Sequence, residues 1–244
     1  MIRYKSMYRL ILLYAAALMA AALIFDDPAN ILPGLWKIVT MQDVLITDYV
    51  QIAGPGAAFV NAGLVTAASV LLLYVAKDPL NGFTITEIGL MSGFALFGKN
   101  IFNIWPIILG TWLYAKLQKE PFSKYAAVAL LATALSPLVS YMTFGSRHAH
   151  PLLGLLIGIG IGMVLPPLSA YTYKVQNGMN LYNMGFACGL LAMMLVPVLE
   201  AVGDAPDSAF FWATGNNGRF APLMVVLCLA FLLCGFFLTG KPAW

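Results

Sequence analysis

The sequence predicts an all-α, polytopic membrane protein with about eight transmembrane helices, some of them broken or half helices. Of its 244 residues, 61% are hydrophobic and 9% are charged, whereas soluble domains carry roughly 25% charged residues. The apolar residues form separate runs that approach the ~20 residues needed to cross a bilayer core. The three cysteines lie inside these runs without metal-type spacing, so we predict no disulfide framework, no metal site and no cofactor.

The first predicted span is residues 10–25, which follow three bases. A basic stretch before an apolar run is also the pattern of a cleaved signal peptide, but it favours a first helix with a cytoplasmic N-terminus. Residues 26–45 contain two prolines and a tryptophan, and we expect them to lie along the outer membrane surface. A half-helix at 46–53 and a full span at 57–76 are predicted on either side of Gly54-Pro55-Gly56, because a proline between glycines breaks a helix.

The next two predicted spans, residues 83–98 and 101–117, are each only just long enough to cross, and Gly98-Lys99-Asn100 joins them. The alternative is a re-entrant pair, which enters the membrane and returns to the same side. Further spans are predicted at 125–144, 152–173, 178–199 and 220–239.

The predicted span at 152–173 has two notable features. Its glycines at 154, 158 and 162 share one helix face, which favours close helix packing over a ligand site. We also expect Pro166-Pro167 to kink or break this helix near its inner end.

The distribution of bases predicts the orientation. Eight spans put both termini in the cytoplasm, with nine bases inside and four outside, as the positive-inside rule favours. The inside bases are Arg3, Lys5, Arg9, Lys77, Lys116, Lys119, Lys124, Lys174 and Lys241, and the outside bases are Lys37, Lys99, Arg147 and Arg219. We therefore expect a multi-pass protein of the bacterial cytoplasmic (inner) membrane.

Two short motifs indicate an internal repeat. FVNAGL (59–64) and LYNMGF (181–186) both place Asn-x-Gly in an apolar run. In the predicted topology they run in opposite directions, as in the inverted repeats of many transporters and channels. We treat residues 1–244 as one transmembrane domain with candidate repeat halves 1–122 and 123–244. Such a repeat would leave two spans without partners, so the chain would be incomplete or would pair with another copy.

Polar side chains recur at membrane depth, where they usually face a protein interior or a water-filled path. For Glu87 we consider a proton-coupling site, a cation ligand, or simple contact with interfacial water. Lys99 either attracts anions or extends to the outer surface. Carboxamides suit a neutral polar solute, and they equally suit joining or capping helices. The predicted path residues are Asn61, Gly63, Glu87, Lys99, Asn100, Asn103, Asn180 and Asn183, and the predicted helix breaks are Gly54, Pro55, Gly56, Gly98, Pro166 and Pro167.

Four segments resemble a bacterial membrane family known as domain of unknown function 1576: ITDYVQIAGPGAAFVNAGL (46–64), LNGFTITEIGLMSGFALFGKNIFNIWPIILG (80–110), KEPFSKY (119–125) and NLYNMGFACG (180–189). The resemblance covers most of residues 26–217. It implies longer family members that repeat the signature in a second half, and it implies no activity. More weakly, residues 59–73 and 80–97 are similar to urea transporters, although Ala62 replaces the proline of their Asn-Pro dipeptide.

The sequence thus predicts an integral membrane channel or transporter for a small polar solute or ion. Its partners would be the lipid bilayer, that solute, and a second chain or further copy. The alternative is a structural or assembly subunit that needs a partner to complete its fold. A membrane enzyme is less favoured, because no catalytic cluster lies at one interface and the histidines, His148 and His150, flank a plain loop.

Overall fold

A computed structural model describes residues 2–43, 46–78, 81–178, 182–204 and 210–239. Apart from two short strands, the secondary structure in these ranges is helical. Six segments among them are long and apolar enough to cross a membrane: Met7–Phe25, Tyr49–Ala76, Phe122–Gly145, Pro151–Val175, Asn183–Ala201 and Asn217–Phe237. The prediction of an all-α membrane protein is therefore confirmed, whereas the count of eight spans is not.

Helix α1 (Ile2–Phe25) packs against α3 (Tyr49–Ala76). The two helices approach closely at Gly63, where an added Cβ would lie 2.4 Å from Met19 Cγ. Helix α3 is kinked at Gly54, whose φ of 85° is outside the helical region. The carboxylate of Asp26 accepts a hydrogen bond from the Gly56 amide at 3.3 Å, so it satisfies a backbone group that the kink frees.

Helix α2 (Pro28–Thr40) is a short amphipathic helix between α1 and α3. Asp27 caps its N-terminus, Gly34 and Ile38 are buried, and Trp36 remains 71% exposed. One apolar face therefore packs on α3.

The predicted half-helix at 46–53 begins later than expected. Strand β1 (Ile46–Thr47) pairs in parallel with β2 (Phe210–Phe211). Asp48 then caps α3 by accepting the Val50 amide at 2.9 Å. This cap makes Tyr49 the first helical residue.

Helices α4 (Gly82–Phe94) and α5 (Trp105–Leu117) contain 13 residues each. At 1.5 Å per residue each is about 20 Å long, which is short of a hydrocarbon core of roughly 30 Å. An irregular tip loop (residues 95–104) joins them and includes Gly98 with a φ of 79°. These lengths agree with the re-entrant alternative better than with two complete spans.

The segment Phe122–Gly145 is built from short helical pieces rather than one regular helix. A 3₁₀ turn (Phe122–Tyr125), α6 (Ala126–Ala132), a second 3₁₀ turn (Thr133–Leu135), α7 (Ser136–Ser140) and a π turn (Tyr141–Gly145) follow one another. Changes of helix type of this kind alter which side chains face the neighbouring helices.

Helix α8 (Pro151–Val175) packs on α5 through glycines, as the sequence predicted. An added Cβ at Gly162 would lie 2.1 Å from the Ile107 carbonyl oxygen. Of the kink or break that was expected at Pro166-Pro167, the break does not occur, because α8 continues through both prolines. Pro166 cannot donate to the Gly162 carbonyl, but the Thr111 hydroxyl donates to that oxygen instead, at 3.0 Å.

Helix α9 (Asn183–Ala201) packs on α8 and leads into a loop that Asp204 holds in place. The Asp204 carboxylate accepts hydrogen bonds from the Arg147 amide at 2.8 Å and the Ser146 hydroxyl at 2.7 Å. The Arg147 amide, and then Ser146, lower the pKa of Asp204.

The chain divides into two compact units, one ending at Phe211 and one beginning at Trp212. The second unit contains α10 (Asn217–Thr239), an apolar helix long enough to cross a membrane.

The predicted inverted repeat is not confirmed. Asn61 lies within α3, whereas Asn183 is the first residue of α9. The two Asn-x-Gly motifs therefore occupy different positions in their helices.

Candidate functional site

The tip loop is anchored by Asn61, which α3 presents from its buried face. The side-chain amide donates to the carbonyl oxygens of Ala95 at 2.7 Å and Lys99 at 2.9 Å. Its oxygen accepts the Ile101 amide at 3.2 Å. Asn61 is fully buried, so its hydrogen-bonding capacity is directed to the backbone of the tip loop.

Asn100 and Asn103 bind one another within the tip loop. The Asn100 side-chain oxygen accepts the Phe102 and Asn103 amides at 3.0 and 2.9 Å. In return, the Asn103 side-chain oxygen accepts the Asn100 amide at 2.9 Å. This reciprocal arrangement fixes the irregular backbone of residues 100–103.

The side-chain amides of these asparagines extend the network into a carboxamide cluster (Asp43, Tyr49, Asn100, Asn103 and Ser140). Asn103 donates to Asp43 at 3.2 Å and to Ser140 at 2.9 Å. The Tyr49 hydroxyl donates to the Asp43 carboxylate at 3.1 Å. All five side chains are buried. Asp43 lies outside the six candidate spans, and its burial raises its pKa from 3.8 to about 7.

Lys99 extends away from this cluster into the protein interior. It is 3% exposed. Its ammonium group donates to Met91 Sδ at 3.3 Å and lies 5.1 Å from the centre of the Phe94 ring. A thioether is a weak acceptor, and an ammonium carries three donors. The contacts of Lys99 among the described residues therefore leave much of its hydrogen-bonding capacity unused.

Glu87 lies one helical turn before Met91 on the same face of α4. Its side chain is 1% exposed, and its Oε1 atom has no hydrogen-bond partner. The expectation that Glu87 reaches interfacial water is therefore not met in this structure. A buried carboxylate oxygen without a partner is costly.

Glu87 and Lys99 interact electrostatically but do not form an ion pair within the described chain. Thr133 donates to Met91 Sδ at 3.5 Å, and Cys188 lies within electrostatic range of the Lys99 ammonium. We call these five residues the charge pocket. It joins α4, the tip loop, the second 3₁₀ turn and α9.

Two other predicted path residues, Asn183 and Gly63, lie apart from both clusters. Asn183 is half-buried, accepts the Thr172 hydroxyl at 2.6 Å and donates to the Ser169 carbonyl at 2.9 Å, so it joins α9 to α8. Gly63 is the close contact between α3 and α1. Asn180 lies outside the described residues.

Sequence reasoning missed three members of the carboxamide cluster: Asp43, Tyr49 and Ser140. Asp43 belongs to the segment that was expected to lie on the membrane surface, and its contacts with Asn103 connect residues 60 positions apart. The available signal was an acid close before a broken helix. That signal does not say which later segment the acid would meet.

A family model described as "Protein of unknown function (DUF1576)" matches residues 27–201. The match covers most of the chain, and the chain belongs to this family. No curated protein matches the chain, and neither does any solved structure. The urea-transporter likeness accordingly has no support from these comparisons.

Proposed function

We propose that this membrane protein is a channel or transporter for a small polar solute or ion, with Glu87 and Lys99 as the charged groups on its path. It would cross the bacterial inner membrane six times, with both termini in the cytoplasm. Helices α4 and α5 would form a re-entrant hairpin that enters from the cytoplasmic side.

The basic residues support this topology. With six spans and one re-entrant hairpin, the same nine bases remain cytoplasmic. Lys37, Arg147 and Arg219 lie outside, and Lys99 moves from an outer loop to the buried tip loop. The excess of bases on one side is the pattern of the positive-inside rule.

The observation that carries the proposal is the pair of buried, unmatched charges. Ionisable groups inside a membrane protein are expensive, and they mark ion pathways and proton relays. A purely structural pair would form a direct ion pair with its remaining hydrogen bonds satisfied. Within the described residues, Glu87 and Lys99 form no ion pair with each other and Glu87 Oε1 has no hydrogen-bond partner. Both groups are therefore available to exchange a proton or to bind a passing ion.

The carboxamides take a different role in this proposal. Asn61, Asn100 and Asn103 direct their side chains to the backbone and to the carboxamide cluster. They therefore hold the tip loop and do not offer free groups to a neutral solute. This arrangement favours an ion or a proton-coupled solute over a neutral amide. None of these residues is assigned a catalytic role.

Proton flux into liposomes tests the proposal. Purified protein would be reconstituted with the pH-sensitive dye pyranine inside, and a valinomycin-imposed potassium potential would drive protons inward. Wild-type vesicles should acidify faster than empty vesicles. Glu87→Gln and Lys99→Gln should each lower the rate roughly tenfold or more, since each removes an ionisable group from the path.

A second pair of variants controls for general effects of charge. Glu120 and Lys124 form an ion pair at 2.6 Å, with both side chains partly exposed to the surroundings. Glu120→Gln and Lys124→Gln should therefore leave the flux unchanged. Equal flux in wild type and Glu87→Gln would contradict the assigned path. Failure of wild type to pass protons, Na⁺, K⁺, Cl⁻ or urea would contradict transport itself.

A further inference from the structure

An apolar groove of about 1310 Å³ runs along the surface between the C-terminal end of α3 and α5. Its walls are mostly aliphatic and aromatic side chains. They include Leu72, Val75, Trp105, Leu109, Trp112 and Leu155. Trp105 and Trp112 are 45% and 40% exposed. The groove is thus open and hydrophobic, and its lining residues do not include those of the charge pocket.

Cationic groups collect at one end of this groove. Lys77, an exposed residue that ends α3, lines it together with Ser123. The ammonium of Lys116 lies 5.1 Å from the centre of the Trp112 ring. Of the two acids near in sequence, Glu120 is held by Lys124 at 2.6 Å. Lys77 and Lys116 therefore make this end of the groove basic.

The part of α5 that carries the two tryptophans is about as long as one half of a bilayer. From Trp105 to Lys116, α5 rises about 16 Å at 1.5 Å per residue. A hydrocarbon core of roughly 30 Å has leaflets of about 15 Å. An acyl chain that lies along Trp105, Leu109 and Trp112 would therefore place its headgroup beside Lys116.

We propose that this groove binds an anionic phospholipid, with its phosphate between Lys77 and Lys116 and its acyl chains along the aromatic wall. An apolar helix from another protein would use the groove but would gain nothing from the cations. A lipid with a negative headgroup matches both the apolar wall and the basic end. The site is independent of the proposed transport path, so either can fail alone.

Tryptophan fluorescence tests this site directly. Trp36, Trp212 and Trp244 would be changed to Phe, which leaves the two tryptophans of the groove. Reconstituted protein would then be titrated with brominated phosphatidylglycerol or brominated phosphatidylcholine, whose bromines quench nearby tryptophans. Brominated phosphatidylglycerol should quench at the lower mole fraction, with a preference on the order of fivefold for each contributing lysine.

Neutral variants locate the preference. Lys77→Gln combined with Lys116→Gln should abolish the preference for phosphatidylglycerol, because it removes both positive charges. Both side chains are exposed, so their replacement should not disturb folding. Lys174→Gln removes an exposed base at the end of α8 that does not line the groove, and it should retain the preference. Equal quenching by the two lipids in the two-tryptophan protein, before any lysine is changed, would overturn the proposal. So would a preference that survives in the double variant, or one that Lys174→Gln also removes.

Discussion

Replacement of Asn61 by leucine tests how the tip loop is held. Leucine has a similar size and keeps the helix propensity of α3, but it makes none of the three hydrogen bonds of Asn61. The carbonyl oxygens of Ala95 and Lys99 and the amide of Ile101 each lose this partner. Because Asn61 is fully buried, water does not replace it in the folded state.

The expected loss of stability is large. A buried backbone group left without a partner costs about 1–3 kcal/mol, so three such groups cost about 3–9 kcal/mol. Whole proteins of this size are stable by only about 5–15 kcal/mol. Even the lower figure corresponds to a fall in Tm of about 6 °C or more.

Thermal unfolding in detergent, followed by tryptophan fluorescence, measures this loss. Asn183→Leu is the matched control, since Asn183 is only half-buried and makes two side-chain hydrogen bonds. One of its partners, Thr172, already lies 3.0 Å from the Ser169 carbonyl and keeps that contact. The control should therefore lower the Tm by less than half as much as Asn61→Leu.

A different ranking would refute the reasoning. If Asn61→Leu leaves the Tm unchanged, or if the two variants lower it equally, Asn61 does not anchor the tip loop. Its carboxamide would then be free for the solute path that the sequence suggested.

Two further predictions concern packing and pH. Gly162→Ala should destabilise the α5–α8 contact by about 1–3 kcal/mol, because its Cβ would lie 2.1 Å from the Ile107 carbonyl oxygen. Gly160→Ala is the control, since its Cβ would meet nothing within 4 Å and should leave the Tm unchanged. Equal effects of the two substitutions would contradict the packing. The folded state raises the pKa of Asp43 to about 7 and so binds its proton more tightly than the unfolded chain does. Wild-type Tm should consequently fall between about pH 4 and about pH 7, and Asp43→Asn should flatten that fall. A Tm that rises over this range would contradict the burial of Asp43.

The membrane fold was predictable from the sequence because it depends on local composition. Long apolar runs and their flanking bases identify most spans, and the every-fourth spacing of Gly154, Gly158 and Gly162 correctly indicated a close helix contact. The break at Gly54 was also visible, because a proline between two glycines has few helical alternatives.

Long-range compensation accounts for what the sequence did not reveal. Pro166 reads as a helix breaker, yet α8 continues because Thr111 on another helix satisfies the freed carbonyl. The predicted runs 83–98 and 101–117 are apolar enough for two spans, yet α4 ends early at Phe94 and α5 begins late at Trp105. The tip loop between them is stabilised by Asn61, which lies 38 residues from Lys99. Such contacts leave no local pattern.

The candidate site was therefore only partly foreseen. Glu87 and Lys99 stood out because charges are rare in apolar runs. Asn61 and Asn183 stood out because polar side chains are also uncommon in apolar runs. The structure places them apart, and their carboxamides have different hydrogen-bond partners. Distinguishing a free polar group from a satisfied one requires knowledge of its neighbours, which a single sequence does not supply.

The burial of the tip loop is the central claim, and the labelling of single cysteines tests it most directly. In a cysteine-free background, Lys37→Cys, Lys99→Cys and Lys116→Cys would be exposed to a membrane-impermeant maleimide, in intact and then in permeabilised cells. We predict that Lys37→Cys labels in intact cells, that Lys116→Cys labels only after permeabilisation, and that Lys99→Cys labels only after unfolding. Labelling of Lys99→Cys from outside, as fast as that of Lys37→Cys, would contradict the re-entrant hairpin and would restore two complete spans.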